Sequence, residues 1–218
     1  MAIYNAGYLS PIRKKLGNAV GRKWRTLDVL AVYQPFVSNP NTEAQQTVRN
    51  HFATLARFAR YFAQAVNIGF LNICKGTKVP QRSMFIKKNW DAIEMTDYET
   101  ALVEWEDIVI AEGTLPKADF GTPTFTEPLQ VAVTMSSTAG VPGADPADKV
   151  YIMVYSAEAR AAIISDGRNT RNDASMSVNV PAAWNGHRVR VWGFAVGAGI
   201  DNAGVISNSS YLGDGTIS

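Results

Sequence analysis

The sequence predicts an α+β chain in which a basic N-terminal arm or hairpin and a long amphipathic helix precede a C-terminal β-sandwich. Three observations carry that prediction. Apolar residues recur at alternating spacings of four and three between 48 and 66, an apolar–polar alternation takes over after about residue 119, and the charge changes sign near residue 90. With 218 residues, 46% hydrophobic and 18% charged, the chain can bury the core of one large domain or two small ones, which argues against disorder throughout. The opening residues lack the basic-then-apolar layout of a signal peptide, and no stretch approaches the roughly 18 apolar residues of a membrane span. A soluble protein made without export is expected. Cys74 is the one cysteine, which excludes an intrachain disulfide and a zinc site built from several thiolates.

Residues 1–40 read as the arm. Gly7, Gly17 and Gly21 punctuate it, Pro11 interrupts it, and Arg13, Lys14, Lys15, Arg22, Lys23 and Arg25 cluster in it. Val20, Arg22 and Trp24 alternate with Gly21, Lys23 and Arg25, and a second β-prone run covers 29–33, so a loose hairpin is expected. With so few apolar residues it should lie on the rest of the chain or on a neighbouring subunit.

Residues 41–116 form a helical and linking region. Asn39-Pro40-Asn41-Thr42-Glu43 offers a cap and an acidic first turn, and Val48, Phe52, Leu55, Ala59, Phe62 and Val66 then trace one apolar stripe. The pattern predicts a helix from about 42 to 74, ended or bent at Asn67 and Gly69, with Arg49, Arg57 and Arg60 off the stripe. Val48, Phe52, Leu55, Phe62 and Val66 are the candidate assembly stripe. Beyond it the chain turns acidic at Asp91, Glu94, Asp97, Glu99, Glu104, Glu106, Asp107 and Glu112. These acids are mixed with Trp90, Tyr98, Trp105 and Ile108-Val109-Ile110, the composition of a folded surface.

Residues 117–218 read as β. Leu129, Val131, Val133 and Met135 alternate with smaller or polar partners, and 150–155, Met176-Val178-Val180 and Val189-Val191 repeat the theme between turns at 140–143, 166–167, 172–173 and 185–186. Six or seven short strands in about a hundred residues have the rhythm of an immunoglobulin/fibronectin-like β-sandwich. Without a cysteine pair, the fibronectin version fits better.

Charge bears most directly on function. Residues 1–90 hold fourteen Lys and Arg against Asp28 and Glu43, a formal +12, and residues 91–218 hold seven against seventeen acids, or −10. A subunit with one face toward nucleic acid, or one that stacks head to tail, would use such segregation, unless folding interleaves the two segments in space. Groups for catalysis are few. His51 and His187 have no second histidine at metal spacing and read as surface or edge residues, and Cys74 reads as a buried small hydrophobe. Gly197, Gly199 and Gly204 have the wrong spacing for a dinucleotide loop, and acids on a solvated face explain 91–112. No catalytic residue, metal or cofactor is expected.

The chemistry that points to a partner is that of Arg13, Lys14, Lys15, Arg22, Lys23, Trp24 and Arg25. Their cations would neutralise phosphates without reading sequence, and Tyr8, Trp24 and Tyr33 could stack on single-stranded bases. The alternative is docking on an acidic surface of the next subunit, such as 91–112.

The segments KKLGNAVGRKW, NPNTEAQQTVRNHF, NIGF, DYETALVEWEDIVIAEGTLP, ADKVYIMVYS, VPAAWNGHRVRVWGF and ISNSSYLG together resemble an uncharacterised domain family of Bacteroidota bacteria and their phages. The resemblance covers nearly the whole chain and is weakest over 75–95. It implies a virion component such as a capsid, neck or tail subunit, with no catalytic residue. Together with the basic arm, the expectation is a non-enzymatic, self-assembling virion subunit, a capsid shell in preference to a neck or tail, made in the host cytoplasm. Its partners would be copies of itself, other virion proteins and nucleic acid bound nonspecifically. A second class is a cell-surface glycan or protein binding module using the loops at 140–145, 166–172 and 197–204. A third is a standalone single-strand-binding protein.

Overall fold

The computed structural model describes residues 2–4, 12–36, 40–97, 100–125, 128–136 and 141–218. Gly7, Tyr8, Pro11, Asn39, Tyr98, Glu99 and Gly140, used above, lie outside them. The chain forms two compact units, Met1–Thr42 and Glu43–Ser218.

The first unit is an antiparallel sheet of four strands, β1 (Ala2–Tyr4), β2 (Lys14–Leu16), β3 (Ala19–Trp24) and β4 (Leu27–Val32), in the order β1-β4-β3-β2. Two-residue turns set its register: Gly17-Asn18 joins Leu16 to its opposite number Ala19, and Arg25-Thr26 joins Trp24 to Leu27. Gly17 has a φ of 57°, which glycine adopts without steric cost. Gly21 is required for another reason, since a Cβ there would collide with the backbone carbonyl of Ile12. Of the described residues in this unit only Gly21 and Val29 are buried.

The second unit begins with helices. The continuous helix expected over 42–74 is instead three in succession, α1 (Glu43–Tyr61), α2 (Ala63–Gly69) and α3 (Leu71–Cys74). The joints are Phe62 and Phe70, where ψ moves to 13° while the N–H of each still reaches the carbonyl four residues back. Both rings are fully buried, and Phe62 lies 5.9 Å from the Phe85 ring and 4.9 Å from that of Tyr155. The helical run is thus interrupted at the two positions whose rings are seated in the core. Gly69, the last residue of α2, is required because the segment 110–111 passes so close that a Cβ would strike the carbonyl of Ile110. After α4 (Gln81–Lys88) come a short hairpin, β5 (Ile93–Met95) with β6 (Ala101–Val103), and a 3-10 turn at Trp105–Asp107. The fully buried Asn89 side chain acts here as backbone, donating to Phe85 O at 2.9 Å and Val109 O at 2.8 Å and accepting from Val109 N–H.

Seven strands follow: β7 (Asp119–Thr124), β8 (Gln130–Ser136), β9 (Lys149–Ser156), β10 (Ala161–Ile164), β11 (Ser175–Asn179), β12 (Arg188–Val196) and β13 (Ser210–Thr216). They make two antiparallel sheets, β10-β9-β12-β13 and β11-β8-β7. Val150, Ile152, Val154, Val189, Val191 and Ala195 of the larger sheet meet Val131, Val133, Met176 and Val178 of the smaller one in a shared core. The other face of the larger sheet, with Met153, Tyr155, Trp192 and Phe194, packs against Leu55, Phe58, Phe62, Val66 and Phe85 of the helices. The unit is therefore three layers, helices on sheet on sheet, and β9 and β12 are apolar on both faces.

The middle layer makes a prediction. Burial pushes the Tyr155 phenol from 10.0 up to about 12, aided by Tyr61 and opposed by Arg190. The folded chain thus holds this proton to higher pH than the unfolded chain, so the associated stability is complete below about pH 10 and is lost as pH rises toward 12. Spectrophotometric titration should show a tyrosine ionising late, and Tyr155→Phe should remove the latest step.

Candidate functional site

The sequence-predicted cations all lie in or beside the four-stranded sheet and all are exposed. Opposed residues share a face, so Val20, Arg22 and Trp24 stand with Lys15, Leu27 and Val29, whereas Lys14 and Lys23 stand with Gly21, Asp28 and Leu30 on the other face. Arg13 precedes β2 and Arg25 occupies the β3–β4 turn. The positive charge is thereby spread over both faces. Aromatic rings accompany it: Lys15 Nζ sits 3.8 Å over the Tyr33 ring and the Arg25 guanidinium 5.3 Å from that of Trp24. Large apolar side chains share the surface, with Trp24 57% exposed, Val32 77% and Phe36 93%.

The helix stripe is divided. Leu55, Phe62 and Val66 are buried in the core between helices and sheet, and Ala59 with them, whereas Val48 and Phe52 stand more than half exposed on the first turns of α1. The core's own shape explains the division: the buried side of α1 passes through Leu55, Phe58 and Ala59, and the N-terminal turns extend along its flank. His51 is half-buried with its ring tilted 36° against that of Trp90, centroids 4.1 Å apart, so the surface position expected for it is replaced by an aromatic contact. Cys74 is buried, and burial pushes its thiol up.

A cluster invisible to the sequence reading binds the loops at one end of the two-sheet unit. Asp148 and Arg171 are buried and pair at 3.0 Å. The Asp148 carboxylate accepts the N–H groups of Asp145 and Ala198 at 3.0 and 3.1 Å and the Asn202 amide at 2.9 Å. Asn202 also donates to Gly143 O, and Arg171 donates to the carbonyls of Pro116 and Lys117. Four loops thus converge on one ion pair. Burial by itself would raise the Asp148 pKa; the hydrogen bonds from Asp145, Ala198 and Asn202 and the charge of Arg171 outweigh it and hold the carboxyl below its usual range. The sequence signal was slight, an aspartate two residues before the apolar run 150–155 and an arginine inside a turn.

Ser156 makes the contact closest to catalytic chemistry. Its hydroxyl lies 3.0 Å from His187 Nδ1 and 3.2 Å from Glu158, and it accepts Ala159 N–H. A serine nucleophile needs an accessible Oγ and a base whose far nitrogen is held by the carboxylate. Here Ser156 is fully buried and the carboxylate sits on the serine itself, so the group braces the β9–β10 turn against the start of β12. The acids Asp91, Glu94, Asp97, Glu104, Glu106 and Asp107 are exposed, and Glu112 pairs with Lys88 at 2.7 Å. Among the described residues no group of three or more His, Cys, Asp or Glu could hold a metal ion, and no helix is long and apolar enough to cross a membrane.

Fold and surfaces together define an α+β protein of mostly antiparallel sheets with few helices, six of whose 21 Lys and Arg stand exposed in or beside the N-terminal sheet. The chain belongs to a family of unknown function (DUF6266), whose model matches residues 11–213. No curated protein matches it.

Proposed function

We propose that this chain is a non-enzymatic, self-assembling structural subunit of a phage virion, a capsid shell in preference to a neck or tail. In this reading the basic sheet β1–β4 contacts packaged nucleic acid or a neighbouring subunit. The observation that carries it is the imbalance of that sheet. It buries only Gly21 and Val29 among its described residues yet exposes Ile3, Leu16, Trp24, Val32, Tyr33 and Phe36 beside its cations. A four-stranded sheet with so little core suits a surface that is completed by something else. The virion setting rests on the resemblance carried by the segments quoted above. The fibronectin-like reading of residues 117–218 is supported by strand order: first, second and fifth strands in one sheet, third, fourth, sixth and seventh in the other.

The test is charge reversal of three or more of Arg13, Lys14, Lys15, Arg22, Lys23 and Arg25. The expected result is loss of large assemblies or of copurified nucleic acid, read from the mass distribution across salt concentration and the ultraviolet absorbance of each species. Particles unchanged in mass and nucleic-acid content would remove the sheet from the assembly.

A second reading, a cell-surface glycan or protein binding module, is favoured by the braced loop end. The loops around 143–148, 166–171 and 198–202 are gathered by the Asp148–Arg171 pair, and a rigid loop cluster suits recognition. A protein that stays monomeric at high concentration yet binds cells would select this reading.

A further inference from the structure

Among the described residues, no strand pairs with the outer side of β10, which leaves it an open sheet edge. Its counterparts β7 and β13 lie side by side, tied by Ser218, which accepts Leu129 N–H at 3.0 Å and donates to Phe125 O at 3.0 Å. The remaining edge, β11, turns the polar Ser175, Ser177 and Asn179 outward. β10 is Ala-Ala-Ile-Ile, half-buried throughout, without the charge, proline or bulge that ordinarily blunts an edge. Ser165 N–H donates to Ile152 O at 2.9 Å, and this fixes the alternation of the ladder. Ala161 and Ile163 direct their backbone groups at β9, so Ala162 and Ile164 direct theirs away from the sheet.

We propose that β10 pairs antiparallel with β10 of a second copy of this chain, about a two-fold axis at Ile163. Outward backbone groups can exchange hydrogen bonds only with outward groups, and this centre sets Ala162 opposite Ile164 of the second copy, twice. It also sets the exposed Arg160 opposite the exposed Asp166 of the second copy at both ends. That opposition of unlike charges favours the register centred on Ile163. Pairing would also extend both cores, since Ala161 and Ile163 lie on the side of the facing sheet and Ala162 and Ile164 on the side of the helices.

This inference deepens the self-assembly reading and rests on it only in requiring copies to associate. In the full chain with Cys74→Ser, Ile163→Cys should give a disulfide-linked dimer under oxidation. Residues opposed in a non-hydrogen-bonded antiparallel pair have Cα atoms about 4.5 Å apart, within the span a disulfide bridges. Ala162→Cys in the same background should not cross-link, being offset from its own copy. Arg160→Asp and Asp166→Arg should each weaken dimerisation by about tenfold or more, and the double swap should restore it. Ala162→Pro should weaken it too, because it removes an outward N–H and no bond to β9. Equal cross-linking at both positions or at neither, or assemblies indifferent to the charge variants and to Ala162→Pro, would overturn β10 pairing while leaving self-assembly standing. A wild-type chain that is monomeric at every concentration would overturn both.

Discussion

Replacing Asp148 by alanine should destabilise the unit Glu43–Ser218 by about 3–5 kcal/mol, the cost of leaving a buried charge without its partner. Arg171 has only 2% of its side chain exposed, so water cannot take the place of the lost carboxylate. The variant also strands the N–H groups of Asp145 and Ala198 and the amide of Asn202, which the carboxylate accepts. For a unit of this length the effect should appear as a fall in melting temperature of roughly 6–20 °C. Arg171→Met should cost a similar amount. The double variant Asp148→Leu with Arg171→Met should cost less than the sum, since no ion remains buried, but it should not reach wild-type stability because the stranded N–H groups persist.

The same pair has a pH signature. The folded-state pKa of Asp148 lies below its ordinary value of 3.8, so its contribution is fully present above that value and is lost as pH falls through the lower, folded pKa. The stability difference between wild type and Asp148→Ala, measured by denaturant unfolding, should hold constant from neutral pH to about pH 5 and narrow in stronger acid. A difference independent of pH down to the acid limit would mean that packing, and not the charge, accounts for it.

Phe62→Ala should have a comparable effect, about 3–5 kcal/mol, through the cavity it opens. The ring is 1% exposed and meets Phe58, Phe85, Tyr155 and Trp192, so it contacts α1, α4, β9 and β12 at once. Neither the helices nor the larger sheet can close over the gap without moving the other. The helical signal in circular dichroism and the fluorescence of Trp192, which lies against Phe62, should therefore fall together in one transition at lower denaturant. Two separate transitions would show that helices and sheets are held together more loosely than a shared core implies.

Much of the local structure was legible in the residues themselves. The alternation of Val20, Arg22 and Trp24 marked a strand, the stripe from Val48 to Val66 marked helix, and the alternating runs from Leu129 onward marked an antiparallel β region, because each depends on periods of two or about 3.6 residues. What periodicity did not reveal was the second buried face of β9 and β12. Both strands are apolar on both faces, and the helices are what cover the second side. The stripe itself gave no warning that Val48 and Phe52 would part company with Leu55, since burial depends on where the neighbouring layer ends.

By itself, then, the sequence determined the α+β class, the segregation of basic and acidic residues and the order of helix and strand segments, all properties of short windows of chain. Tertiary structure alone decided the helix interruptions at Phe62 and Phe70, the meeting of Asp148 with Arg171 across 23 residues, and the open edge at β10. These depend on which distant segments come into contact, and that is settled by burying apolar surface from many elements at once, a global condition that no local pattern encodes.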